Sequence, residues 1–289
     1  MKTAKNFSLS GFIKLTRIGN LLIIVFAQYF TAIFLTSFTP SWFSVLKNLD
    51  LFLLSFSSVL IAASGYIIND YYDVKIDYIN KPNRVIVGKI IKRRVVMVAH
   101  TVINFLGICI GFIVAPILAI INFTSALLLW LYSNQLKRIV LIGNISVALL
   151  SGLSIYIVEL IYHSQNPLVL IYAAFAFGYT VIREIVKDIE DVQGDEAFGC
   201  KTLPIVYGIR KTKGFLFFFI VLFGASLSFA LFSLATSFGL ILMFGNIIML
   251  ITLFIIIYKA DTKKEFHSLS TVTKIMMMMG VLSMAMHNL

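Results

Sequence analysis

Nine stretches of the chain are apolar enough and long enough to cross a bilayer as helices. A transmembrane helix needs about 20 mostly apolar residues. Runs at roughly 18–38, 51–68, 95–114, 117–133, 140–162, 168–186, 214–236, 239–258 and 269–287 qualify. Little more than Pro116 parts the third from the fourth, which predicts a tight antiparallel hairpin. Lys274 interrupts the ninth near its start. The first run is too long for a cleavable signal peptide, and no small-residue cleavage site follows it. The pattern predicts an all-α membrane protein, a nine-transmembrane-helix bundle forming a single membrane-embedded domain over residues 1–289.

Composition agrees. Sixty per cent of the residues are apolar and only 13% are charged, against about 45–50% and about 25% in an average soluble domain. The mean hydropathy is +0.96. A soluble enzyme, a disordered chain and a disulfide scaffold are excluded, and Cys109 and Cys200 fall on different layers with no partner for a bridge or a metal. The net charge of +11 would point to nucleic acid in a soluble protein, but in a membrane protein it reports orientation. Twenty-two of the 24 Lys and Arg residues lie at the N-terminus or after spans 2, 4, 6 and 8. With nine alternating spans these five groups share one face. The positive-inside rule makes that face, and the N-terminus, cytoplasmic. The expected location is an integral, multi-pass position in the plasma membrane of a prokaryote, with no nucleic-acid partner and no obligate protein partner.

The acids are more unevenly spread. Nine of 13 fall in two places, each where an apolar span meets the expected cytoplasm. Asp70, Asp73 and Asp77 stand at i, i+3 and i+7, and so do Asp188, Asp191 and Asp195. On a helix those offsets share one face. The motifs follow spans 2 and 6, which predicts a pseudo-repeat of four helices plus a ninth. Two Asp-rich loops, within cap elements at about 69–94 and 184–213, would form a cytoplasmic cap. Gly194 is a candidate end for the second motif's helix, which would put Asp195 in a turn.

Three carboxylates on one face repel unless a cation lies between them. Hard Mg2+ takes oxygen ligands, one or two carboxylates together with phosphate oxygens. Two facing rows could hold Mg2+ and clamp a diphosphate, with Lys81, Arg84, Arg183 and Lys187 on the remaining phosphate charge. A diphosphate site above apolar helices suits an isoprenyl diphosphate, with its tail among the spans. Metal-bound diphosphate is a good leaving group, and the allylic carbon it leaves can alkylate a lipophilic acceptor.

At these residues the sequence resembles the UbiA family of intramembrane prenyltransferases. Asn69-Asp70-x-x-Asp73-x-x-x-Asp77 and Asp188-x-x-Asp191-x-x-x-Asp195 look like the family's two acidic motifs. Tyr132 with Lys137, then Gly143-Asn144, looks like its tyrosine–lysine motif, and Arg17 with Asn20 like the polar pair opening the first span. The resemblance implies a U-shaped nine-helix bundle, Mg2+ dependence and a side opening to lipid. Asn80-Lys-Pro-Asn-Arg84, Arg183 to Asp195 and Lys201-Thr-Leu-Pro-Ile205 look most like the digeranylgeranylglyceryl phosphate synthases, which move a geranylgeranyl group to the hydroxyl of geranylgeranylglyceryl phosphate in ether-lipid synthesis. One departure stands out: Val85-Ile-Val-Gly88 replaces the usual Pro-Leu-Pro-Ser-Gly.

The expected roles follow. Asp70, Asp73, Asp188 and Asp191 bind Mg2+, with Asp77 and Asp195 as further ligands, water-mediated supports or the proton acceptor. Asn69 offers a neutral oxygen, a phosphate contact or only a helix cap. Lys81, Arg84, Lys137, Arg183 and Lys187 bind phosphate, and Asn20 and Asn144 contact substrate. Tyr132 stabilises the allylic cation through its ring, orients a phosphate, or is an interfacial belt tyrosine. No histidine has a catalytic role. Prenylation of an aromatic or other acceptor, as in quinone or chlorophyll synthesis, is the alternative, and a transporter the distant one.

Overall fold

The computed structural model describes residues 8–36 and 42–288. Lys2, Lys5 and the last two residues of the expected first span lie outside them. Among the described residues the chain is helical, and nine helices are long and apolar enough to cross a membrane. They are α1 (Ile18–Leu35), α2 (Leu49–Tyr72), α3 (Arg93–Val114), α4 (Pro116–Asn134), α5 (Ile142–Tyr162), α6 (Pro167–Ala197), α7 (Ile209–Ser233), α8 (Ser237–Lys259) and α9 (Lys263–His287). Each matches a predicted run.

The boundaries have local causes. Only Ala115 separates α3 from α4, and Pro116 takes the first helical position, where its missing N–H costs nothing. Asn122 of α4 closes that hairpin by donating to the Gly107 carbonyl of α3 at 3.0 Å. Asn48, Asn166, Thr236 and Thr262 cap the N-termini of α2, α6, α8 and α9 with their side-chain oxygens.

Large apolar side chains cover the outside of the bundle. Phe229 is 73% exposed and Phe105, Phe112 and Ile248 each 65%, as expected where lipid rather than water is the solvent. Polar side chains turn inward. Gln28 of α1 donates to Ser58 of α2 and to the Ser154 carbonyl of α5, tying three helices below the polar end. Interhelical hydrogen bonds of this kind replace the missing hydrophobic drive between helices in lipid.

α6 is the longest element. Its 31 residues span about 46 Å at 1.5 Å per residue, well beyond a hydrocarbon core of about 30 Å. Its C-terminal turns therefore reach beyond the hydrocarbon core, carrying the second acidic motif. This corrects one expectation: Gly194 does not end the helix, and Asp195 is helical. The first motif is broken instead. α2 ends at Tyr72, Asp73 leaves helical geometry, and a short helix Val74–Asn80 follows. The acidic motifs thus stand on helices rather than loops. Beyond them Ile86, Val87 and Ile91 are buried with Leu15 of the short helix Leu9–Leu15 and Ile67 of α2. The departure at Val85–Gly88 is thus an apolar plug fastening the chain's first described helix to the motif.

All five cation groups meet at one end. Arg17 pairs with Asp70, Lys137 with Asp73, Lys213 at the start of α7 with Asp261 before α9, and Lys263 reaches the Asn80 carbonyl. Close packing fixes the far side of the site. A Cβ at Gly178 on α6 would stand 2.2 Å from the Phe223 ring of α7. Gly178→Val is expected to destabilise the bundle by about 1–3 kcal/mol, seen as a lowered Tm in detergent. An unchanged Tm would show that α7 can give way.

Candidate active site

Two helix ends bring the motifs face to face. Asn80 closes the short helix after the first motif and lies against the second. Its Nδ2 donates to the Asp191 carbonyl and its Oδ1 accepts from the Gly194 N–H, each at 2.9 Å. A Cβ on Gly194 would stand within 2.4 Å of Asn80, so glycine is required there for contact rather than for a turn. Sequence reading gave Asn80 no role.

Four of the six carboxylates in the two rows have a side-chain partner. Arg17 donates to Asp70 at 2.6 Å. Its backbone lies in the left-handed region, φ 52°, at the break before α1, and its guanidinium stands 5.1 Å over the Tyr66 ring. Lys137 donates to Asp73, and to Asn69 Oδ1 at 3.2 Å. Lys81 donates to Asp191 at 2.6 Å, and Asn144 Nδ2 to Asp188 at 2.8 Å. Charge-assisted bonds in a poorly solvated setting are strong. They explain how like charges can be stacked on each row.

Lys137 is positioned by local backbone. It sits on the 3-10 turn Leu136–Arg138, and Gly143 of α5 packs beneath, where a Cβ would stand 2.6 Å from the Lys137 Cα. The Arg138 carbonyl accepts from Lys201 N–H, joining this turn to the segment after the second motif. Tyr132 and Asn69 line the cavity below the rows. Arg183 and Lys187 both donate to Glu184, which is buried. Lys274 of α9 donates to Asn20 of α1 at 2.7 Å. Arg84 is exposed and joins none of the described bonds to the acids.

The cavity has a volume of about 280 Å³. Arg17, Asn69 and Lys187 stand at its polar end, and Ile155, Val281 and Met284 belong to its apolar wall. Cation-binding capacity remains in the rows. Asp191 Oδ1 is buried without a hydrogen-bond partner, and Asp77 and Asp195 have no ion pair among the described residues. No three acidic, histidine or cysteine side chains among the described residues stand at metal-holding spacing. Asp191 Oδ1 and the all-oxygen donor set fit a hard cation such as Mg2+.

Glu184, Asn80 and Lys274 received no role from sequence. Lys274 carried a signal, since a charge inside a membrane span is a functional candidate by default.

Comparison with known proteins gives a consistent result. A family model described as the UbiA prenyltransferase family matches residues 21–279. A digeranylgeranylglyceryl phosphate synthase of Sulfurisphaera tokodaii is 37% identical over 71% of this chain and 72% of its own length. The enzyme of the same name from Methanosphaera stadtmanae is 38% identical over 57% of this chain. That match spans 60% of the relative, less than two thirds of its length. Among solved structures, one of a digeranylgeranylglyceryl phosphate synthase in membranes superposes with a TM-score of 0.70 at 29% identity, covering 96% of each chain. A UbiA homologue from Archaeoglobus fulgidus bound to GPP and Mg2+ superposes at 0.71 and 14% identity, over 95% of this chain and 99% of that one, a likeness of fold.

Asp77 lies outside the spans. Burial, then the charges of Asp73 and Asp70, push its carboxyl up from the ordinary 3.8 to about 6, against the pull of Lys81 and Arg17. A raised carboxyl favours the fold while protonated, so its contribution is complete below about pH 4 and is lost as pH rises through 6. In chelator, Tm is expected to fall between pH 4 and 6, and Asp77→Asn should flatten that fall. Parallel profiles for the two proteins would refute the assignment.

Proposed function

This chain belongs to the UbiA prenyltransferase family, and on that basis we propose that it moves an isoprenyl group from a polyprenyl diphosphate to a lipophilic acceptor. The donor is geranylgeranyl diphosphate and the acceptor the hydroxyl of geranylgeranylglyceryl phosphate, making an ether lipid. The observation that carries this reading is the meeting of two carboxylate rows, each bonded to cations or amides, over one apolar cavity. The names of the relatives support the acceptor.

Asp70, Asp73, Asp188 and Asp191 would hold Mg2+, with Asp77 and Asp195 in support. Bound there, Mg2+ supplies the positive charge that stabilises a departing diphosphate. Lys81 and Lys137 have carboxylates as partners in the free protein. Phosphate oxygens compete for the same ammonium groups, so both lysines can pass to the diphosphate. Lys187 adds charge from the cavity wall, and Arg84 lies exposed at the edge. The carbon–oxygen bond to the diphosphate breaks with its electron pair going to the diphosphate. The acceptor hydroxyl oxygen bonds to the allylic carbon, and its proton passes to Asp77 or Asp195, the carboxylates without ion pairs. Tyr132 presents its ring to the positive carbon. Asn69, Asn144 and Asn20 orient the groups they touch. The prenyl tail occupies the apolar part of the cavity.

The cation-rich end faces the cytoplasm, by the positive-inside rule, in a prokaryotic plasma membrane.

Purified protein in detergent, given Mg2+ and labelled geranylgeranyl diphosphate, is expected to label geranylgeranylglyceryl phosphate and to stop on chelation. Label on an aromatic acceptor alone would favour the quinone-type alternative, and no transfer to any acceptor would defeat the enzyme reading. Asp70→Ala and Asp188→Ala should each lower kcat by about 100-fold or more with folded elution profiles. Near-normal turnover in either would break the two-row clamp.

A further inference from the structure

Some charge on the cavity wall is left over by this assignment. The charged lining consists of Arg17, Arg183, Lys187, Lys274 and Glu184. Asp70 neutralises Arg17. Glu184 serves both Arg183 and Lys187, leaving one positive charge in excess. Lys274 has no ion pair among the described residues, and its ammonium meets only the neutral Asn20 amide oxygen at 2.7 Å. Two positive charges therefore face a largely apolar cavity. Arg183 Nε is also buried with no hydrogen-bond partner. Uncompensated cations lining a largely apolar cavity within a membrane bundle are costly and mark a functional site.

Their placement is distinct from the carboxylate rows. Asn20 stands one turn further into α1 than Arg17, which holds Asp70. Arg183 precedes Asp188 on α6 by more than a turn, toward the membrane interior. Lys274 reaches the same cavity from α9, where its ammonium meets Asn20. Three helices thus bring two cations and an amide to one cavity, and among the described residues no acid pairs with Lys274.

We infer that Lys274, Asn20 and Arg183 form a second anion subsite, below the carboxylate rows, that takes the phosphate monoester of the acceptor lipid. The inference rests on the proposed function, because only a phosphorylated acceptor brings a second anion. A phosphate monoester carries about −1.5 to −2 charge at pH 7, matching the excess, and its oxygens can accept from Lys274 Nζ and Arg183 Nε together. The donor diphosphate belongs with the carboxylate rows, where a cation can bridge it. One cavity thus separates its two anionic ligands by chemistry, a metal-bridged diphosphate above and a metal-free monoester below.

The test compares wild type, Lys274→Met and Lys274→Arg as full chains in detergent. The acceptors are geranylgeranylglyceryl phosphate and the corresponding dephosphorylated diol. Lys274→Met is expected to raise KM for the phosphorylated acceptor at least tenfold while the KM values for donor and diol move less than twofold. Lys274→Arg, which keeps the charge, should recover most of the loss. Inorganic phosphate should compete with the phosphorylated acceptor in wild type and much less in Lys274→Met. A rise in donor KM instead, or no change for either acceptor, would overturn the subsite. If wild type transfers to no phosphorylated acceptor, the acceptor assignment itself has failed. Calorimetry with geranylgeranylglyceryl phosphate then decides the subsite alone, and equal affinity in wild type and Lys274→Met overturns it. Matching Tm values for the variants guard against misfolding.

Discussion

Ionised groups gathered at one end of an apolar bundle must find partners there, and this constraint organises the protein. Water is scarce among the helices, so an unpaired charge is expensive. The chain meets the constraint by crossing helices. Arg17, preceding α1, holds Asp70 of α2, Lys137 after α4 holds Asp73, and Lys81 beyond the first motif holds Asp191 of α6. These contacts both fasten the helix ends together and set a cation beside each of the three carboxylates. On the proposed function the same pairs would bear the chemistry, since a site prepared for cation and diphosphate must hold negative and positive groups side by side until the ligands replace the partners.

The scaffold beneath is built for that purpose. Exposed Phe and Ile side chains face lipid, while Gln28, Ser58 and Asn122 make their bonds inward. The result is a cavity wall that is apolar along most of its length and polar at one end, as the proposed isoprenyl diphosphate would require. Asn80 then binds the motifs to one another through backbone rather than charge, so their alignment survives when the ion pairs exchange.

Much of this was readable from sequence because lipid imposes strict rules. Nine apolar runs became nine helices since no other backbone arrangement satisfies its own hydrogen bonds in a bilayer, closed barrels aside. The repeated i, i+3, i+7 acids marked the site because nothing structural calls for stacked like charges. Pairing was not readable. Asp70 lies 53 residues from Arg17 and Asn20 lies 254 from Lys274, and local spacing says nothing about either. Gly194 misled for a physical reason. A glycine near a helix end usually stops it, but here the missing Cβ makes room for Asn80, a demand made by another part of the chain.

The two acidic rows are mounted differently. The second stands on an unbroken helix rooted through the whole bundle, whereas the first continues past a break at Asp73 onto a separate short helix. The two rows are therefore anchored unequally: the second by a helix running through the bundle, the first by the seam in which Ile86, Val87 and Ile91 bury themselves against Leu15 and Ile67.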